Sequence, residues 1–278
     1  MKQLKFAVIG GDLRIKAVAQ QLKDDGYIVF PCPQNDHWEK EGKEILSQAD
    51  IVLLPLPLSS DDKTIQHSTL SFEQLLQFTS PLYLGGMASP RFLSLIKEKK
   101  IQFYDYFLRE ELNILNAIPT AEGAIAIAME ELPVTLHGSN CLILGFGRIG
   151  KVLAHMLQGM GAYVTCTARK ESDLAWIQVK GYHSLKTDHI NRELSRFDVI
   201  FNTVPALLLS EETLRATKPE VLLIDLASKP GGIDFAAAGN LGRKAIWALS
   251  LPGKVAPLTA GSIIKDTVLH ILQEQNLI

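Results

Sequence analysis

The chain has 278 residues, 47% of them hydrophobic and 21% charged, with a formal net charge of −2. That balance fits a globular protein of two ordinary domains, and with no basic block or stripe it argues against nucleic-acid or membrane-surface binding. Three cysteines without metal-type spacing (Cys32, Cys141 and Cys166), scattered histidines and no apolar run of about 18 residues point to a cytoplasmic protein without metal site, signal peptide or membrane span.

In chain order, the first third alternates short apolar runs with helical patterns. "LKFAVIG" (4–10), "YIVFP" (27–31), "DIVLLPL" (50–56), "PLYLGG" (81–86) and "IQFYDY" (101–106) read as five strands. "RIKAVAQQLKDDG" and "SPRFLSLIKEKK" carry apolar residues at helical spacing between them. Buried strands alternating with helices predict a parallel sheet covered on both faces, here a flavodoxin-like domain. The stretch 116–132 reads as one long helix, with Pro119 near its first turn and Glu122 facing the positive end of its dipole.

A second alternation starts at "NCLILGFGRIG" (140–150) and continues through 162–170, 197–206, 220–228 and 244–253. The tail has Ile263, Ile264, Val268, Ile271 and Leu272 at helical spacing, an amphipathic helix expected to return to the first domain. The predicted fold class is therefore α/β with two open parallel sheets, an N-terminal flavodoxin-like substrate domain and a C-terminal Rossmann domain. Expected boundaries are 1–118 (completed by 258–278) for the substrate domain, 119–137 for an inter-domain helix and 138–257 for the dinucleotide-binding domain.

The spacing Gly145-x-Gly147-x-x-Gly150 follows an apolar strand and precedes a helical pattern, the context that a dinucleotide-binding turn requires. Phe146, Arg148 and Ile149 fill the intervening positions. Gly145 would allow the tight turn, Gly147 the approach of the pyrophosphate, and Gly150 the packing of helix on strand. An NAD site wants an acid about 20 residues on. The strand end here is "CTARK", with Thr167, Ala168, Arg169 and Lys170 and no acid before Glu171. An arginine pairs with a 2′-phosphate that a carboxylate would repel, so the expected cofactor is NADP, anchored by Arg169. Asn202, Thr203, Val204 and Pro205 at one later strand end, and Leu226 and Ala227 at the next, are expected to line the cofactor.

"FAVIGGDLR" (6–14) repeats the strand-glycine-helix pattern but lacks a third glycine. It is expected to open the substrate site instead, with Asp12 and Arg14 aimed at the nicotinamide. Arg109, Thr120, Glu122, Ser228 and Lys229 are the other candidates, and their cations suit a carboxylate or dicarboxylate substrate. The late histidine of a D-2-hydroxyacid dehydrogenase, and its arginine soon after the "NTVP" position, do not appear.

"VIGGD-x-R", "REE…NAIPTAEGAI", "LGFGRIG", "NTVPA", "DLASKPGGIDF" and "LPGKVAP-x-TAG" together resemble the A-subunit family of bacterial dipicolinate synthases. The resemblance runs nearly end to end and is weakest over 32–75. It implies oxidation of a dihydro- or hydroxytetrahydro-dipicolinate to pyridine-2,6-dicarboxylate in the mother cell of a sporulating bacterium. It also implies NADP as cofactor and, as partner, the flavoprotein-like B-subunit of dipicolinate synthase. Arg14, with Arg109 or Lys229, would then pair a ring carboxylate, and Glu122 or Asp12 would take a proton. Two alternatives stand beside this: an NADP-dependent dehydrogenase of another small carboxylate, and a nucleotide-binding regulatory subunit whose partner holds the chemistry. Self-association into a homo-oligomer stays open.

Overall fold

The computed structural model describes residues 3–31, 41–79 and 81–278, and Cys32 lies outside them. The chain forms two compact units, one made of residues up to Asn116 together with Ala256–Ile278, the other of Ala117–Val255.

In the first unit the elements are β1 (Lys5–Val8), α1 (Leu13–Asp24), β2 (Ile28–Pro31), α2 (Glu41–Gln48), β3 (Ile51–Leu53), α3 (Phe72–Leu75), β4 (Leu82–Gly85), α4 (Pro90–Glu98), β5 (Phe103–Asp105) and α5 (Glu110–Leu115). The second unit holds α6 (Ala117–Glu131), β6 (Asn140–Leu144), α7 (Arg148–Gly159), β7 (Tyr163–Ala168), α8 (Glu171–Val179), β8 (His183–Lys186), β9 (Val199–Asn202), α9 (Glu211–Arg215), β10 (Leu222–Asp225), α10 (Phe235–Asn240), β11 (Lys244–Trp247) and α11 (Leu251–Val255). The chain then returns to the first unit as α12 (Pro257–Glu274).

Both sheets are wholly parallel, as the predicted fold class requires. The first has the order β2-β1-β3-β4-β5, the flavodoxin arrangement, and the second β11-β10-β9-β6-β7-β8, the Rossmann arrangement. Strand order reverses between β1 and β3 in one and between β6 and β9 in the other. Outside the carboxyl ends at such a reversal, neighbouring loops part and leave a crevice for a ligand.

Local chemistry sets the helix α1. Asp12 caps its N-terminus by accepting from the Arg14 N–H at 2.9 Å, and Ile15, Val18 and Leu22 put one apolar face on the sheet. The α12 helix covers this region with Ile264, Val268, Ile271 and Leu272, all nearly or fully buried. At the crossing the two backbones come close. A Cβ built on Gly261 would stand 2.7 Å from the Arg14 carbonyl oxygen and 2.8 Å from the Ala17 Cβ. Gly261→Ala should therefore force the helices apart and cost about 1–3 kcal/mol in denaturant unfolding; a stability equal to wild type would show that the crossing has slack.

The second unit departs from expectation in three places. β8 was not predicted, because three of its four residues are polar and only Leu185 is buried, at a sheet edge where no apolar run is needed. The run 244–253, expected as one strand, ends as a strand at Trp247 and turns helical at Leu251. The long helix spans Ala117–Glu131, belongs to the second unit rather than forming a separate connector, and packs on α7 and α11 through Ala121, Ala124 and Ala128. Its first turn holds no acid, since Glu122 lies a turn further on, so the expected dipole role for Glu122 is not met. The helical span Glu110–Glu131 is long and apolar enough to cross a membrane by length and composition alone, though it is no uninterrupted apolar run, and 44% of that window is buried inside the protein, as in a core helix.

Candidate functional site

The turn between β6 and α7 meets each demand of dinucleotide binding through a different glycine. Gly145 sits at φ +97°, where a side chain would be strained, and a Cβ there would also stand 2.6 Å from Thr203 Oγ1. Gly150 brings the helix so near the strand that its Cβ would lie 2.3 Å from the Gly145 carbonyl oxygen. Gly147 is the N-cap of α7, and among the described residues no atom comes within 4 Å of the place its Cβ would occupy. Among the described residues no side chain caps that helix end. The positive end of its dipole suits an anion, as a pyrophosphate requires.

Neighbouring loops hold the turn. The Gly145 N–H donates to Thr167 Oγ1 at 3.0 Å, and Thr203 Oγ1 donates to the Leu144 carbonyl at 2.8 Å. A pocket of about 330 Å³ opens beside the turn, within the usual range for small-molecule sites. Gly145, Phe146, Gly147, Ala168, Arg169, Lys170, Thr203, Val204 and Pro205, all among the candidate cofactor residues, line it. Arg169 and Lys170 are exposed on its rim. Asp173 and Thr187 also line it and were not foreseen. Asp173 sits in the first turn of α8, beyond the strand end where an NAD-binding acid is expected.

Other predicted residues serve the frame instead. Among the described residues, Arg148, Ile149, Gly150, Thr167, Asn202, Leu226 and Ala227 are absent from the pocket wall. Thr167 props the glycine turn, and Gly150 packs on it. Asn202 is fully buried, with its amide nitrogen donating to the Val204 carbonyl at 2.9 Å and to Asp225 at 2.8 Å. Leu226 and Ala227 are buried, and the Ala227 carbonyl accepts from the Trp247 indole at 3.0 Å. Ser228 and Lys229 stand exposed at the tip of the loop that follows β10. The thiols of Cys141 and Cys166 are buried in β6 and β7, which pushes them up to about 11 and about 12.

In the first unit the glycine pair of the opening stretch does a different task. Gly10 is at φ +63°, and its Cβ would lie 2.3 Å from the Gln66 carbonyl oxygen, which also accepts the Gly11 N–H at 2.8 Å. The Gly11 N–H is thus spent on protein backbone, and Asp12 places a carboxylate at the start of α1, both of which disfavour a phosphate at this turn. Asp12 and Arg14 do come together, but they face each other. The guanidinium donates to both Asp12 oxygens at 2.7–3.0 Å and to the Leu56 carbonyl, and Arg14 is only 7% exposed. Burial pushes the Asp12 carboxyl up, but the bonds and charge of Arg14 outweigh it and hold the group below its ordinary value. A carboxylate so held is a weak base, and an arginine so paired has little left for a substrate. Arg109 is likewise engaged, by Glu111 at 2.7 Å and by Glu274 of α12 at 2.6 and 2.7 Å. It straps α12 down, against its expected role on a substrate carboxylate. Thr120 is half-buried and Glu122 exposed, both on α6.

Residues 5–107 match the family described as the N-terminal domain of the dipicolinate synthase A-subunit. Residues 120–230 match the NAD-binding domain of D-isomer specific 2-hydroxyacid dehydrogenases. The chain is 32% identical to the dipicolinate synthase A-subunit of Bacillus subtilis (strain 168), over 98% of this chain and 96% of that one. A crystal structure of the dipicolinate synthase A-subunit from Bacillus halodurans superposes with a TM-score of 0.88 at 30% identity, covering 98% of each chain. The corresponding Bacillus subtilis structure gives 0.87 at 30% identity, over 99% of this chain and 97% of that one. A transhydrogenase from Sinorhizobium meliloti, at 16% identity and a TM-score of 0.69 over 98% and 94%, shares the fold. The second unit is thus a dehydrogenase-type domain for a nicotinamide cofactor.

Proposed function

The chain belongs to the dipicolinate synthase A-subunit family, and from that premise we propose that it oxidises a dihydrodipicolinate to pyridine-2,6-dicarboxylate, with NADP as hydride acceptor and the flavoprotein-like B-subunit of the synthase as partner. The balance is one substrate and one NADP giving the aromatic diacid, NADPH and one proton; a hydroxytetrahydro-dipicolinate would lose water as well. Oxidoreductase chemistry follows from the dehydrogenase-type domain, and the ring gains aromaticity, so the protein must chiefly bind, orient and remove one proton. Bound NADP would supply the hydride acceptor. The open Gly147 and the uncapped end of α7 fit its pyrophosphate. Of the two carboxylates expected to take the proton, Asp12 is held by Arg14, which leaves Glu122. Of the cations expected to pair a ring carboxylate, Arg14 and Arg109 are engaged, which leaves Lys229.

The observation that favours NADP is the placing of Arg169 and Lys170 on the pocket rim, just past the end of β7. Asp173 in the same pocket supports a second reading, NAD, because a carboxylate there can accept from ribose hydroxyls. Replacing Arg169 by Asp separates them. If Arg169 holds a 2′-phosphate, NADPH binding weakens by about tenfold or more, as loss of a charge-assisted pair implies, while NADH binding changes little. Equal losses favour NAD. Turnover is tested by pyridine absorbance after mixing the chain with dihydrodipicolinate and NADP, with and without the B-subunit. Absorbance that needs the B-subunit yet no nicotinamide would make this chain a regulatory subunit.

A further inference from the structure

Asp225 ends β10 and opens the stretch "DLASKPGGIDF" without being one of the candidate site residues, yet it is 0% exposed and bonded on both oxygens. Oδ1 accepts from the Asn202 amide at 2.8 Å and from the Ala227 N–H at 3.0 Å, and Oδ2 accepts from the Gly232 N–H at 2.7 Å. All three partners donate, which suits a carboxylate. Burying one is costly unless such donors surround it, so a group placed like this stays only where its bonds fix something.

What they fix is the course of the loop 226–232. The chain leaves β10, projects Ser228 and Lys229 outward, and folds back until the Gly232 N–H meets the carboxylate it started from. Two glycines permit the return. A Cβ on Gly231 would stand 2.8 Å from Asp225 Oδ2, and one on Gly232 would stand 2.4 Å from the Asn202 amide nitrogen. The Trp247 indole closes the far side, donating to the Ala227 carbonyl and lying 3.1 Å from the Gly231 Cβ position. Through Asn202, which also bonds the Val204 carbonyl and N–H, the same carboxylate is tied to the loop 203–206 on the nucleotide pocket.

We infer that Asp225 is a positioning residue: it sets the loop that carries Ser228 and Lys229 and locks it in register with the pocket wall at Val204. That this loop serves turnover rests on the reaction proposed above; that Asp225 fixes it does not. In Asp225→Asn one oxygen becomes an N–H donor set against N–H donors. Hydrogen exchange of the full-length protein should then speed up by about tenfold or more at Ala227 and Gly232, the size expected for losing a bond to a charged acceptor. Exchange in β6 and β7 should stay as in wild type, which separates a local effect from general loosening.

Kinetics give the second readout. Asp225→Asn should lower kcat about tenfold with NADPH affinity kept within about twofold, and its loss should not add to that of Lys229→Ala, as expected when one residue acts through another. Additive losses, or unchanged exchange in 226–232, overturn the inference. A wild-type chain that turns nothing over refutes the proposed reaction, and the exchange data then decide on Asp225 by themselves. If Asp225→Asn does not fold, Asn202→Ala, which removes one donor and keeps the carboxylate, should show the same exchange pattern in weaker form; no change there overturns it too.

Discussion

Gly150→Ala is expected to weaken dinucleotide binding by about a hundredfold and to destabilise the second unit. The added Cβ would meet the Gly145 carbonyl oxygen at 2.3 Å, and neither atom belongs to a side chain that can turn away. To relieve it, α7 must lift from the turn, which moves the N–H groups meant for the pyrophosphate. Gly145 cannot follow, since it is held at φ +97° against Thr203 and by its bond to Thr167. An overpacked backbone contact costs about 1–3 kcal/mol, and displaced anion donors should raise the NADPH dissociation constant by about a hundredfold, the loss of one or two charge-assisted bonds. Titration followed by tryptophan emission, with urea unfolding alongside, measures both. Gly147→Ala is the control. Its Cβ would enter empty space at φ −82°, so stability should hold while affinity drops. Tight binding by Gly150→Ala would mean that the pyrophosphate lies elsewhere.

Arg14→Met carries the second large effect, this time in the first unit and with a pH signature. Removing one partner of a buried pair costs about 3–5 kcal/mol. The Asp12 side chain keeps 33% of its exposure, and solvent screening brings the expected loss to about 2–3 kcal/mol. The acid limb follows from the Asp12 carboxyl, which burial raises and Arg14 lowers further. Its folded value lies below its unfolded value of about 3.9, so the unfolded chain binds more protons between the two. The contribution is complete above the unfolded value and is lost as pH falls through the folded one. Wild type should therefore lose stability below about pH 4 more steeply than Arg14→Met, in which the depression of Asp12 is gone. Parallel curves in urea unfolding at pH 7, 4 and 3 would remove Arg14 as the cause.

The glycine turn and the alternation of strands were legible because each is fixed by neighbours in sequence. A G-x-G-x-x-G between an apolar run and a helical pattern has few other solutions, and buried parallel strands must be apolar on both faces. Roles set by distant partners were not legible. Arg109 reads as a free cation until Glu274, from the other end of the chain, is found on it. Asp12 and Arg14, two residues apart, look like two groups aimed at one ligand, and a bidentate pair has the same spacing. Asn202 was placed at the correct strand end, but its amide is turned inward by Asp225. β8 escaped for the opposite reason: an edge strand with polar residues gives no apolar signal. The candidate residues found bonded within the protein are thus mostly charged groups, which sequence cannot distinguish from charged groups waiting for a ligand.

The return of α12 to the first unit has a consequence for how this chain is made. Ribosomal synthesis delivers β1, α1 and their neighbours first, with the side of α1 around Ala17 that α12 will cover still bare. The cover is encoded beyond Val255, so the whole second unit is translated in between. That unit is one contiguous stretch and can close as soon as it leaves the exit tunnel. Folding therefore finishes in the reverse of translation order, the inserted half first and the opening half last. During that wait the nascent chain carries an unfinished apolar surface, the kind of species that chaperones bind and that aggregates when they do not.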